Sequence, residues 1–392
     1  MNFKISFSGR AHKYTQEEKD VILEAIENAV PLTQGKYQHE FQEKFSTYNG
    51  SKYCFAVNNA TAALEMSAQL CQFHEGDEFI CPSHTFTASA YPFIKKGAKP
   101  VWADIEKETR VVSLDTIKKC ITPNTKAVVV VHLYGFIIPD IQDIANFCKE
   151  NTLLLIEDVA QAMGTRTNNK MAGTFGDFGV YSFHSHKNMT TLGEGGMLVV
   201  KEKKYADVIP MLRHNGHCGW EIDRPNFWTP AMGNVDLPKF NDEYIMPNNY
   251  CLGEVECALG SKLLERLDAI NSQKRERAIR FIEALSSSNL LSFHKVNSIE
   301  HNYHLLVATV NDGKRDKFLE KISQEKQIQC VVQYYPLNRY DFYKKLGFGE
   351  ANCPNADMLF DNMVSFPFHH MMSDEDFEYM LKSTKEVLEE LL

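Results

Sequence analysis

The chain contains no run of about eighteen apolar residues, so it predicts no membrane-spanning helix. It has no surplus of positive charge. Lys and Arg number 42 against 51 Asp and Glu, a formal charge of -9, which argues against nucleic acid as the main partner. None of its ten cysteines forms a C-x-x-C pair, and several sit in apolar runs such as "KYCFAV" and "FICPS". Buried free thiols and a reducing, cytoplasmic compartment are therefore expected. The N-terminal "MNFKISFSGRAHKYTQEE" lacks the apolar core of a signal peptide. Repeats and low-complexity segments are absent. No G-x-G-x-x-G follows the first strand, which leaves a nicotinamide site without support.

What is present is a rhythm. The chain is 392 residues long, enough for two domains or two closely packed lobes. "TQEEKDVILEAIENAV" carries apolar residues at helical spacing, and a second helix is expected near "YQHEFQEKFSTYN". Strands are then predicted at "KYCFAVNN", "EFICPS", "KPVWADI", "KAVVVVHLYG", "TLLLIEDVA" and "FGVYSF", most of them separated by helical stretches. Near-continuous apolar strands alternating with helices mean a mostly parallel sheet covered on both faces, an α/β fold. Residues 250 to 290 read as one long or kinked helical region bridging two lobes. The remainder alternates as a small α+β lobe. The segment from 218 to 247 has little periodicity but holds Trp220 and Trp228, so a packed, functional loop is expected.

Ligand sites in such sheets lie beyond the C-terminal strand ends. Asn58, Asn59, Ser83, His84, His132, Asp158, Ser182 and Lys187 all fall there. Asp158 and Lys187 in one crevice make either a plain ion pair or a pyridoxal phosphate site. In the latter, a lysine amine condenses with the aldehyde and a carboxylate pairs with the pyridine nitrogen. "NNATAAL" offers Thr61 and backbone N–H groups at a helix start, the setting for an anion. Ser182 adds a hydroxyl, and Phe86 stands just past a strand end as a platform for a ring. His184 and His186 are two apart in a non-helical stretch with no third ligand placed beside them, so no metal is expected.

An ordered series of motifs extends this reading almost end to end. The chain resembles the DegT family of sugar aminotransferases, fold-type-I pyridoxal-phosphate enzymes. The resemblance is carried by "PLTQGKYQHEFQEKFSTYNGSKYCFAVNNATAAL", "CPSHTFTASA", "LLLIEDVAQAMGT", "YSFHSHKN", "GEGG", "LRHNG", "NNYCLGEVECALGSKLLERLD" and "NMVSFPFHHMMSDED". It implies a mostly parallel seven-stranded sheet in a large cofactor-binding domain over 1–255. A bridging helix and a smaller C-terminal α+β domain would follow over 256–392. Lys187 would be the Schiff-base lysine and proton shuttle, with its pKa lowered by cationic surroundings and desolvation. Asp158 would pair with the pyridine nitrogen, Gln161 would bond the ring hydroxyl and Phe86 would stack on the ring. Ala60, Thr61 and Ser182 would hold the phosphate, and Asn249 would reach it from the neighbouring subunit of a homodimer with shared sites.

The implied activity is transfer of an amino group from glutamate or glutamine to a keto sugar. A nucleotide-linked keto-deoxy-hexose is the default, for lipopolysaccharide, capsule or antibiotic sugars. A free keto sugar acid such as an octulosonate, or a keto cyclitol, is the alternative. A sugar dehydratase of this fold has histidine where Lys187 stands, and a non-catalytic regulator would not need Lys187 and Asp158 intact. Two features depart from the family. Cys251 occupies the place of the arginine in the usual "NYR", and cannot make its bidentate contacts. The 218–247 segment is also longer than usual, with Arg224, Trp220 and Trp228 either lining a pocket or packing the loop.

Overall fold

The computed structural model describes residues 3–7, 10–219, 227–228, 232–294 and 300–392. Trp220 and Arg224 lie outside the described residues. Two helices open the fold, α1 (Gln16–Asn28) and α2 (Lys36–Asn49). The start of α2 is pinned by Glu254, whose carboxylate accepts from the N–H groups of Gly35 (2.8 Å), Tyr37 (2.8 Å) and Gln38 (3.3 Å). Those are the N–H groups a helix start leaves without partners of its own.

The strands follow the sequence pattern closely. They are β1 (Tyr53–Val57), β2 (Glu78–Pro82), β3 (Lys99–Ala103), β4 (Thr125–Val131), β5 (Leu154–Asp158), β6 (Phe178–Ser182) and β7 (Gly196–Val200). They form one seven-stranded sheet in the order β1-β7-β6-β5-β4-β2-β3. The pairs from β3 through to β6 are parallel, whereas β7 runs antiparallel to both β6 and β1. Val128 to Val131 of β4 are all buried, which is what a sheet covered on both faces requires. Helix α3 (Ala60–Cys71) packs on the sheet, and Asn59 caps it by accepting from the Ala62 N–H at 2.8 Å. Such a cap is worth about 1 kcal/mol.

The expected bridging region is two helices, Glu254–Leu264 and Leu267–Leu285, broken at residues 265–266. Leu267 belongs to the large core, while Ala278, Phe281 and Leu285 belong to a second core. The second core lies against a three-stranded antiparallel sheet of Leu291–Ser292, Leu306–Val310 and Met363–Phe366. Helices Arg315–Gln324 and Asp374–Leu391 complete that α+β lobe. Ile5 joins the same core, so the first residues of the chain pack with the last. All ten cysteines are free thiols. Among the described residues no helix is long and apolar enough to cross a membrane.

The described part of the 218–247 segment is packed only in part, with Leu237 in the large core. Phe240 is buried, but Phe227, Trp228 and Tyr244 are exposed. A two-residue ladder, His217–Cys218 with Asn234–Val235, is too short to build a core beneath those rings.

Candidate active site

Side chains alternate across a strand, so neighbours at the end of β5 face opposite ways. Glu157 points into the packed interior. Its Oε1 accepts from the N–H groups of Phe175 (2.7 Å) and Gly176 (2.6 Å). Its Oε2 accepts from the Gly173 N–H (2.8 Å) and meets His132 Nε2 at 3.0 Å. His132 is thereby assigned to structure. Asp158 faces a cavity of about 570 Å³ above the strand ends. Its Oδ1 accepts from the Ala160 N–H (3.0 Å) and its Oδ2 from the Ser89 hydroxyl (2.7 Å).

Lys187 lies in the loop between β6 and β7 and lines the same cavity. Burial lowers its pKa to about 8, while the carboxylates of Asp158 and Glu194 act to raise it. This corrects one expectation: the charges felt by Lys187 are anionic, and burial alone does the lowering. A lowered value is what a proton-moving amine needs. At pH 7 roughly one such lysine in ten is free amine, against a few in ten thousand at the ordinary value.

Ala60, Thr61 and Ser182 also line the cavity. The first N–H groups of α3 have no partners within the helix and carry the positive end of its dipole. Gly196, which opens β7, lies hard against this helix start. A Cβ there would stand 2.7 Å from the Asn59 carbonyl carbon and 2.8 Å from the Ala60 nitrogen. The sequence thus keeps a glycine where any side chain would push the anion cradle aside.

Phe86 is 54% exposed and lines the cavity, which excludes a core role for it. Its ring meets that of Tyr334 edge-on at 5.9 Å. Gln161 accepts from the Tyr134 N–H (2.7 Å) and donates to the Tyr334 hydroxyl (3.1 Å). One N–H of its amide is still available to the cavity. Seven of the eight residues that the resemblance assigns to cofactor and catalysis therefore converge on one cavity. Asn249 is the exception. It is exposed, pairs with His214 and is not among the residues that line the cavity.

Several wall residues escaped sequence reasoning. Ser89 lies within the quoted "TFTASA", three residues after Phe86, and helical spacing is the one signal that could have found it. Tyr334, His304 and His369 come from the small lobe, and Phe7 and Ala11 from the N-terminal segment. No local pattern marks any of these. Trp228 does not line the cavity. His184 and His186 do, with rings 5.0 Å apart, and His184 stands 3.8 Å from Glu194. Among the described residues no three His, Cys, Asp or Glu side chains gather as a metal set.

This donor set fits pyridoxal phosphate. The α3 start and Ser182 would hold the phosphate, Asp158 would meet the ring nitrogen, Phe86 would cover the ring, and Lys187 would face the aldehyde. The family description "DegT/DnrJ/EryC1/StrS aminotransferase family" matches residues 13–385. The chain is 30% identical over 373 residues to GDP-perosamine synthase of Escherichia coli O157:H7, covering 95% of this chain and 96% of the relative. Among solved structures, Helicobacter pylori PseC, an aminotransferase of pseudaminic acid biosynthesis, superposes with a TM-score of 0.87 at 24% identity over the whole of both chains. A Streptococcus pneumoniae protein in its PLP form superposes over the whole of both chains with a TM-score of 0.84, also at 24% identity. The chain belongs to the DegT/DnrJ/EryC1/StrS family of pyridoxal-phosphate-dependent aminotransferases and has the fold-type-I architecture.

Proposed function

We propose that this protein transfers the amino group of glutamate or glutamine to a nucleotide-linked keto sugar, in the making of a surface polysaccharide. The meeting of Lys187, Asp158 and the α3 start in one cavity carries the reading. Pyridoxal phosphate, when bound, supplies an aldehyde that exchanges with amines and a ring that accepts electrons. The chain does the rest. Lys187, as the free amine, takes the proton from the donor's α-carbon and returns it to the other side of the exchange. Asp158 holds a proton on the ring nitrogen, with Ser89 and the Ala160 N–H fixing its orientation. Gln161 bonds the ring hydroxyl, Phe86 covers the ring face, and Ala60, Thr61 and Ser182 anchor the phosphate.

We read the working unit as a homodimer, with Asn249 reaching the partner's phosphate cradle. Its exposure, and its place outside the lining of its own cavity, support this. Val30 (92% exposed), Leu32 (61%) and Met246 (70%) supply apolar surface near Asn249, the 30–32 stretch being joined to that segment by the Thr33–Gly253 bridge. Unpaired apolar surface of that kind marks association. A monomeric mass by sedimentation would sink the dimer reading.

A second acceptor reading is a free keto sugar acid, such as an octulosonate, or a keto cyclitol. Cys251 favours its uncharged member, the keto cyclitol: the thiol donates to the Arg213 carbonyl at 3.7 Å and burial keeps it neutral, so it clamps neither a phosphate nor a carboxylate. Among the described residues no arginine lines the cavity to clamp a diphosphate or a sugar carboxylate. The test loads the protein with pyridoxamine phosphate and adds candidate keto sugars. Return of the aldehyde spectrum with a nucleotide-linked keto sugar supports the first reading. Return only with a free keto sugar acid or cyclitol supports the second.

A further inference from the structure

A buried lysine other than Lys187 sits directly behind the cavity. Lys274, on the bridge helix Leu267–Leu285, is 3% exposed. Its ammonium donates to Asn188 Oδ1 at 2.9 Å and to the His304 carbonyl at 3.0 Å. The Phe368 ring lies 5.3 Å away. No carboxylate pairs with it among the described residues. Asn188, 5% exposed, is the residue after Lys187, and its amide donates in turn to Asn271 Oδ1 at 2.8 Å. Asn271 donates to the Met163 carbonyl at 3.0 Å. On the other side, His12 Nε2 meets the Lys187 carbonyl at 2.7 Å.

A buried ammonium without a counter-charge is costly, and an apolar side chain would fill the place at less expense. Burial alone draws the Lys274 pKa down to about 7. What the ammonium supplies that an apolar residue cannot is a pair of directed hydrogen bonds. One goes to Asn188, the residue that follows Lys187 in the chain. The other goes to a carbonyl whose own side chain, His304, lines the cavity.

We propose that Lys274 is a positioning residue for Lys187. Acting through Asn188, it fixes the backbone from which the Lys187 amine reaches into the cavity. The proposal rests on Lys187 being the amine that receives the cofactor aldehyde.

The test uses the full chain stripped of cofactor. Pyridoxal phosphate is added, and the rate of the visible absorbance band is followed. Borohydride trapping and peptide mass then locate the adduct. Wild type with an adduct on Lys187, absent in Lys187→Ala, establishes the underlying reading by itself; its absence removes both. Lys274→Met keeps the length of the side chain and removes both donors. Uptake slowed fivefold or more supports the proposal, and a smaller change overturns it. Asn188→Ala should slow uptake to the same degree. The double variant should be no slower than Lys274→Met within twofold, because both changes cut one link. Slowing equal to the product of the two singles would overturn it. A merely structural lysine would lower the melting temperature of Lys274→Met and leave the uptake rate of the folded protein unchanged. Should Lys274→Met fail to fold, Asn188→Ala decides by the same fivefold threshold.

Discussion

Glu157 and Asp158 are neighbours on one strand and have opposite fates. Glu157 collects four hydrogen bonds, from three backbone N–H groups and His132. A carboxylate has about four lone-pair positions, so nothing is left for a ligand. Asp158 collects two, from Ser89 and the Ala160 N–H, and borders a cavity. Saturation marks the structural carboxylate and spare capacity the functional one. Both are buried, so burial does not separate them.

Several substitutions test that contrast. Lys187→Ala should have the largest effect: loss of the visible cofactor band and a fall in transamination of about a thousandfold or more, read by absorbance and assay. Asp158→Asn should lower kcat by about a hundredfold with little change in melting temperature. Glu157→Gln should do the reverse. Its amide would place N–H groups against N–H groups, at a cost of about 2–4 kcal/mol in denaturant unfolding, while any folded protein still takes up cofactor. If Glu157→Gln proved catalytically dead but fully stable, the contrast would be wrong. Gly196→Ala should weaken cofactor binding about tenfold by displacing the α3 start, measured by equilibrium titration. Phe86→Ala should cost about fivefold in the same titration, the worth of one ring contact.

The sign of the pH dependence follows from Lys187. Its lowered pKa means the reactive free amine gains as pH rises through about 8, rather than through the ordinary lysine range. The rate of cofactor uptake by the stripped protein should climb to a plateau above that pH. A midpoint near 10 would show that burial does not act on this amine as described.

Much of the fold was legible. The helices read from "TQEEKDVILEAIENAV" and "YQHEFQEKFSTYN" are α1 and α2, Gln16–Asn28 and Lys36–Asn49. Six sheet strands stood out as apolar runs. The seventh, β7, did not, because its "GMLVV" is short and follows a glycine cluster that draws attention to loop chemistry. Its antiparallel placement between β1 and β6 depends on partners far along the chain. Asp158 and Lys187 were legible because strand-end polarity is a local signal, though spacing alone left ion pair and cofactor site both open. Ser89 was hidden only by the absence of a partner to name. Tyr334, His304 and Lys274 were out of reach, since each comes to the cavity or its backing from more than eighty residues beyond Lys187 or Asp158. The anionic surroundings of Lys187 were missed for a related reason. Glu194 lies seven residues on, and only the folded loop brings it near.

The most direct test of the account is covalent. The full chain is incubated with pyridoxal phosphate, reduced with borohydride and digested, and the adduct is located by peptide mass. One adduct is expected, on Lys187, absent from Lys187→Ala. An adduct on another lysine of the wild-type protein, or none, would contradict it.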